Sequence, residues 1–150
     1  MKILVDADSC PKAARELAAR RAAALGVKAI FAANRPMPGI EKSSMEICPT
    51  GDNSADDRIV ELAEEGDLAI SRDVPLAQRL VGKGVWVLDD RGRVFTRDNI
   101  NELLSLRNFA VDLAENGMGA ERKPSYGKKE LKTFADSLDR TISKIKRGKD

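Results

Sequence analysis

The sequence predicts a three-layer α/β fold: a mainly parallel five-stranded sheet covered by helices, followed by two C-terminal helices. Two observations carry this. Apolar runs of strand length alternate five times with segments of helical spacing, the pattern of a parallel sheet with crossover helices. The chain has 150 residues, 42% of them hydrophobic, which suits one domain and one core. Aromatic residues are only 4%, so that core must rest on Ala, Leu, Val and Ile.

Taken in order, Lys2–Val5 reads as a short buried strand ending in Asp6. Pro11 sits where a helix takes its first residue, with Ser9 or Cys10 as cap. Ala14, Leu17, Ala18, Ala22 and Leu25 keep helical spacing until Gly26 stops them. Val27–Ala33 is a second strand. Asn34–Ser44, with Pro36, Pro38 and Gly39, is a loop. Met45–Cys48 is a third strand and Pro49-Thr50-Gly51-Asp52 a turn. Asn53 or Ser54 then caps a helix with Ile59, Leu62 and Ala63 inward, ended by Gly66.

Leu68–Ile70 is a fourth strand, Pro75 opens a short helix, and Val85–Leu88 is a fifth strand holding Trp86. Arg91-Gly92 makes a turn, after which Val94-Phe95 can add a short edge strand. Asn99 with Glu102 resembles a capping box for a long helix to about Asn116. A Gly/Pro-bearing loop, 117–127, leads to a last helix with Leu131, Phe134, Ala135, Leu138, Ile142 and Ile145 as a continuous apolar stripe. The whole reads as one domain, 1–150, with a helical extension from about residue 99.

Composition excludes several chemistries. With no histidine, Ser-His and Cys-His nucleophiles and His-ligated zinc are ruled out. Two cysteines cannot build a Cys₄ site, so any metal must have oxygen ligands, which favours magnesium, manganese or calcium. The first apolar run stops after three residues, so no signal peptide is expected. No segment approaches the ~20 apolar residues of a membrane span. Reduced thiols and a cytoplasmic protein are the expectation.

Charge is unevenly spread. Residues 1–121 carry 16 basic and 20 acidic groups; residues 122–150 carry 10 basic and 4 acidic. A basic tail on an acidic body points to an anionic partner near a carboxylate-rich site. A solvated helix with a Lys-rich end is the other account, and charge alone favours it.

Ligands of open α/β sheets bind beyond the carboxyl ends of the strands. Asp6 ends the first strand and Asp8 follows it. Asp73 lies just past the fourth, Asp89 and Asp90 follow the fifth, and Asp56 and Asp57 open a helix at the same edge. Crowded carboxylates repel, and a divalent cation relieves them. At 100° per residue Asp56 sits on the flank of the inward face, whereas Asp57 points to solvent. Ser54 and Asp57 also fit a capping box. Asp67 falls at the opposite end of the sheet as a turn residue; Asp52, Asp89 and Asp90 are open to the same reading. Asp6 is harder to explain that way, because a charge ending a buried strand needs a partner. Cys10 is read as a small half-buried residue. Tyr126, in a basic loop, is either a packing anchor or a base-stacking platform.

These residues carry a resemblance. Leu4-Val5-Asp6-Ala7-Asp8-Ser9-Cys10-Pro11 resembles the N-terminal signature of the uncharacterised bacterial YaiI/YqxD family. So do Ser54-Ala55-Asp56-Asp57-Arg58-Ile59, the run Gly66 to Ala77, and Arg91-Gly92, over most of residues 1–110. The C-terminal part departs: where a Gly-Pro pair is expected, Pro124 follows Lys123. The family is grouped by similarity with PIN-like nucleases, which hold magnesium or manganese on a few acids of a parallel, Rossmann-like α/β core. That pattern implies Asp6, then Asp56 to Ala63 on a helix, then Ser71-Arg72-Asp73. The acid usual in mid-domain has no clear match; Glu46 would lie inside a strand, and Asp8 can substitute.

The resemblance implies a divalent-metal-dependent nuclease, with RNA ahead of DNA as partner. Asp6, Asp56 and Asp73 would bind one or two Mg2+ or Mn2+ ions, with Asp8 assisting. Arg72, Arg91 or Ser71 would contact phosphate, and Lys123, Lys128 and Lys129 would hold the backbone outside the site. Self-association into a homo-oligomer stays open. One alternative is a haloacid-dehalogenase-like phosphatase with Asp6 and Asp8 as nucleophile and acid–base pair and Asp89-Asp90 as metal acids. Another is a catalytically inactive PIN-like nucleic-acid-binding module.

Overall fold

The computed structural model describes residues 1–50, 54–118 and 125–148, so the expectations for Gly51, Asp52, Asn53 and Lys123 lie outside the described residues. β1 (Ile3–Asp6) leads through a single 3-10 turn, Ala7–Ser9, to α1 (Lys12–Leu25). β2 (Ala29–Ala33), β3 (Met45–Ile47), α2 (Ser54–Leu62), β4 (Leu68–Ile70), α3 (Val74–Gly82) and β5 (Trp86–Leu88) follow. β6 (Val94–Phe95), α4 (Ile100–Glu115) and α5 (Lys128–Arg147) complete the order.

The result is a mixed α/β fold with one six-stranded sheet in the order β3-β2-β1-β4-β5-β6. Every pairing is parallel except β5 with β6. The short edge strand expected as an addition at Val94-Phe95 forms, so the five strands become six. The extra pair forms because Asp89 closes a hairpin: its carboxylate accepts the Arg91 and Arg93 N–H groups, both at 2.9 Å.

β1 is the central strand, with Ile3 in register with Ala29 on one side and Leu68 on the other. Alternation divides its side chains between two clusters. Ile3 and Val5 join Leu17 and Ala18 of α1 and Phe134, Leu138 and Ile142 of α5. Leu4 joins Ile59 of α2, Leu76 and Leu80 of α3 and Ile100 of α4. The α1 face is largely alanine, and α1 ends at Gly26, whose φ of 66° is the left-handed conformation that glycine adopts readily.

Several expected boundaries move, each for a local reason. α1 begins after Pro11, because the 3-10 turn takes up Ala7–Ser9 and the Ser9 hydroxyl turns to Asp6 instead of capping. α2 ends at Leu62, ahead of Gly66. α3 begins at Val74, capped by Asp73, whose carboxylate accepts the Leu76 N–H at 3.1 Å. The Asn99 capping box does not form: its amide oxygen accepts the Thr96 N–H at 2.8 Å and its amide nitrogen donates to Val94. Ser54 sits inside α2 with its hydroxyl on the Pro49 carbonyl, which removes the Ser54–Asp57 box as well.

Candidate functional site

The sheet order places a topological switch point between β1 and β4, where the chain turns to opposite sides of the sheet. Both strands end there in polar residues. Asp6 closes β1 and is 6% exposed. One of its oxygens, Oδ2, accepts the hydroxyls of Ser9 and Ser71, each at 2.8 Å. Burial pushes its carboxyl above the usual range. The two hydroxyls oppose that, and the charges of Asp73 and Asp8 add to it.

Asp73 follows β4. The Asp73 N–H donates to Ser71 Oγ at 3.0 Å, so one serine hydroxyl fixes both Asp6 and Asp73. Asp8 stands on the turn after β1, where its Oδ2 accepts the Asn34 N–H at 3.0 Å. Asp56 projects from the first turn of α2. Burial and the charges of Asp73 and Asp6 raise its carboxyl to about 6.

Asp6, Asp8, Asp56 and Asp73 line one pocket of 230 Å³, with Ser9, Asn34, Ser54 and Ala55 completing the wall. Asp57, its neighbour on α2, turns outward to Arg79 at 2.9 Å. Glu46 lies on edge strand β3 and pairs with Arg58 at 2.7 Å, away from this pocket. The pocket offers four carboxylates and neither imidazole nor thiol, a donor set suited to a hard divalent cation. As the side chains stand, no three His, Cys, Asp or Glu residues among the described residues are grouped closely enough to hold a metal ion.

The expected phosphate contacts fall in three places. Ser71 is 3% exposed and its hydroxyl is spent on Asp6 and the Asp73 amide. In this arrangement it positions two acids and presents no donor to solvent. Arg72 is half exposed and pairs with the buried carboxylate of Asp90. Arg91 donates to the Ser125 carbonyl at 2.9 Å and stands over the Tyr126 ring at 5.7 Å. Tyr126 donates its hydroxyl to the Asp90 carbonyl at 2.7 Å. A chain of contacts therefore runs along the rim from Arg72 through Asp90 and Tyr126 to Arg91. Lys128 and Lys129 are exposed at the start of α5, where Lys129, Arg91 and Ser125 share a surface hollow.

Asp89 and Asp90 do not line the carboxylate pocket. Asp89 is held by its turn amides and Asp90 by Arg72. Cys10 is buried, not half-buried, and burial beside Asp90 pushes its thiol up to about 12, so it is inert as a nucleophile. Asp67, at the opposite end of the sheet, is more than a turn residue. Its carboxylate accepts Lys2 Nζ at 2.6 Å and the Lys2 and Glu64 N–H groups, and these hold it below its usual range against burial.

Sequence reasoning missed Ser9 and Asn34 as parts of the site. Ser9 carried a signal, since it lies within three residues of Asp6. Asn34 acts through its backbone, which no side-chain pattern reveals.

A model of the uncharacterised bacterial YaiI/YqxD family matches residues 4–144. The chain is similar to a UPF0178 protein of Treponema denticola, 49% identical over 144 residues, spanning 96% of this chain and 93% of that one. A UPF0178 protein of Treponema pallidum is 44% identical, spanning 98% and 84%. One of Pseudomonas aeruginosa is 41% identical, spanning 100% and 95%. No solved structure matches the chain.

Proposed function

The chain belongs to the YaiI/YqxD family, and we propose that it is a divalent-metal-dependent nuclease acting on RNA ahead of DNA, built as a three-layer PIN-like domain. One observation carries this reading: four aspartates from three separated segments line one pocket at the switch point of the sheet. Asp6, Asp56 and Asp73 would hold Mg2+ or Mn2+, with Asp8 assisting. When bound, such an ion activates water and offsets charge building on the phosphate.

The protein's own part is positioning. Ser71 fixes the Asp6 carboxylate and the Asp73 backbone together. Asp90 holds Arg72 at the rim, beside Asp73, where it can meet a phosphate of the strand. The Asp56 carboxyl is raised first by burial and then by the charges of Asp73 and Asp6, and a cation would offset that charge. The phosphatase alternative is less well supported, because Asp89 and Asp90 are committed to a turn and to Arg72. We place the protein in the cytoplasm on its two free cysteines. No helix among the described residues is long and apolar enough to cross a membrane. A homo-oligomer would use the exposed Leu106 and Phe109 of α4 and the nearby Met118.

The test is incubation of the protein with a mixed-sequence single-stranded RNA in manganese, magnesium or chelator. An Asp6→Asn/Asp73→Asn variant runs beside it. The expected result is cleavage that requires metal and is lost in the variant. Folded protein that leaves the RNA intact with both metals, or a variant that cuts equally well, overturns the reading. Metal-independent binding without cleavage would point to the binding module.

A further inference from the structure

Charge in this molecule is sorted by the face of the sheet. α1 and α5, which share one core cluster, carry eleven basic and four acidic side chains, a balance of +7. α2, α3 and α4, which share the other, carry three basic and six acidic, a balance of −3. The two basic helices touch, with Arg21 of α1 pairing with Asp139 of α5 at 2.9 Å.

On α5 the basic residues form a ridge. At 100° per residue Lys129, Arg140, Lys144 and Arg147 fall within about 60° of one another, and all four are exposed; the one acid on that face, Asp136, is paired with Lys132 at 3.6 Å. Arg140, Lys144 and Arg147 enter no ion pair among the described residues. From Lys129 to Arg147 the ridge spans roughly 27 Å at 1.5 Å per residue. A surface hollow lies at each end. One is bounded by Arg91, Ser125, Lys129, Glu130 and Thr133, and the other by Asp139, Arg140, Ser143, Lys144 and Arg147, so in each the cations outnumber a single acid.

We infer that the outer face of α5 is a docking track for a nucleic-acid backbone, leading from Arg147 up to the carboxylate rim. It rests on the nuclease reading for its partner and deepens it by giving the substrate a second foothold outside the cleavage pocket. A ridge of this length is long enough to meet several successive phosphates of one strand. Its upper end meets Arg91, which is tied through Tyr126 and Asp90 to Arg72 beside Asp73. A helix that lies on anionic lipid must also present large apolar side chains to it. α5 exposes none: Phe134, Leu138, Ile142 and Ile145 are buried. The surface therefore suits phosphates of a polymer rather than a membrane.

The test reads binding apart from cleavage. Fluorescence anisotropy of a labelled 20-nucleotide mixed-sequence RNA is recorded in chelator at 50 and 200 mM salt. An Arg140→Glu/Lys144→Glu/Arg147→Glu variant should bind at least ten-fold more weakly, with its log–log salt slope shallower by about 2. The neutral pair Arg140→Gln/Lys144→Gln should fall between, and Arg140→Lys/Arg147→Lys should match the parent. Thermal melts confirm that each variant is folded. Because binding is read in chelator, where no metal-dependent cleavage occurs, a failed nuclease reading leaves this result standing. No binding by the parent, or a charge-reversed variant within two-fold of it, overturns the proposal. So does loss confined to phosphatidylserine vesicles with RNA binding unchanged.

Discussion

Ser71 shows how a residue read as a ligand contact becomes a positioning group. The Ser-x-Asp pattern was visible, but its hydroxyl direction depends on β1 and β4 lying side by side, a long-range fact. Ser71→Ala leaves a buried Asp6 oxygen and the Asp73 N–H short of a partner and should cost about 1–3 kcal/mol in urea unfolding. Asp56 yields a prediction of opposite sign. Its folded carboxyl lies at about 6 against an ordinary 3.8, so the native state binds the proton more tightly than the unfolded chain. Its contribution is present below pH 4 and is lost as pH rises through 6. In chelator, Asp56→Asn should therefore stabilise the protein at pH 7, by on the order of 1–2 kcal/mol after allowing for solvent screening, and change little at pH 4. Melting curves at the two pH values check this; a destabilised variant at pH 7 would contradict it.

At the scale of elements, the strands were legible because each is a short apolar run bounded by turn residues. Leu68–Ile70 is found as read. Helix starts were not, because caps compete: Asn99 serves its own loop and Ser54 serves Pro49, choices made by geometry that spacing does not encode. The β5–β6 hairpin carries its own test. Gly92 has a φ of 90°, and a Cβ there would stand 2.9 Å from the Thr133 carbonyl oxygen of α5. Ser137 of α5 also donates to the Gly92 carbonyl at 2.7 Å, so the turn that carries Arg91 is clamped to α5. Gly26 has a φ of 66°, and a Cβ there would meet nothing within 4 Å. Gly26→Ala should cost only the backbone term, about 1–2 kcal/mol. Gly92→Ala should cost clearly more, since backbone cannot yield cheaply, and should lower affinity for RNA as Arg91 shifts. Equal losses of stability in the two variants would show that the clamp is loose.

For the molecule as a whole, the sequence presented both C-terminal helices as an extension from about residue 99, yet the structure treats them oppositely. α5 buries Phe134, Leu138, Ile142 and Ile145 in the core. α4 buries only Ile100 and leaves Leu106 56% and Phe109 62% exposed. The apolar stripe of α5 was plain, because one continuous face alternates with charge. α4 has apolar residues on several sides, so periodicity could not tell which side, if any, meets the body. The contrast predicts unequal costs. Leu138→Ala should lose about 2–5 kcal/mol, the range for truncating a buried leucine. Leu106→Ser/Phe109→Ser removes side chains that are more than half exposed and should lose clearly less, on the order of 1 kcal/mol. Both are read by urea unfolding at two protein concentrations a hundred-fold apart. A large, concentration-dependent loss in the α4 variant would mean that another copy covers this helix, since association stabilises by mass action. Sedimentation of the parent chain would then show a mass above that of one chain and the variant would lose it. A small loss that does not depend on concentration leaves the outer face of α4 solvated, with Ile100 and Leu103 still packed beside α2 and α3 on one face of the sheet and α1 and α5 on the other.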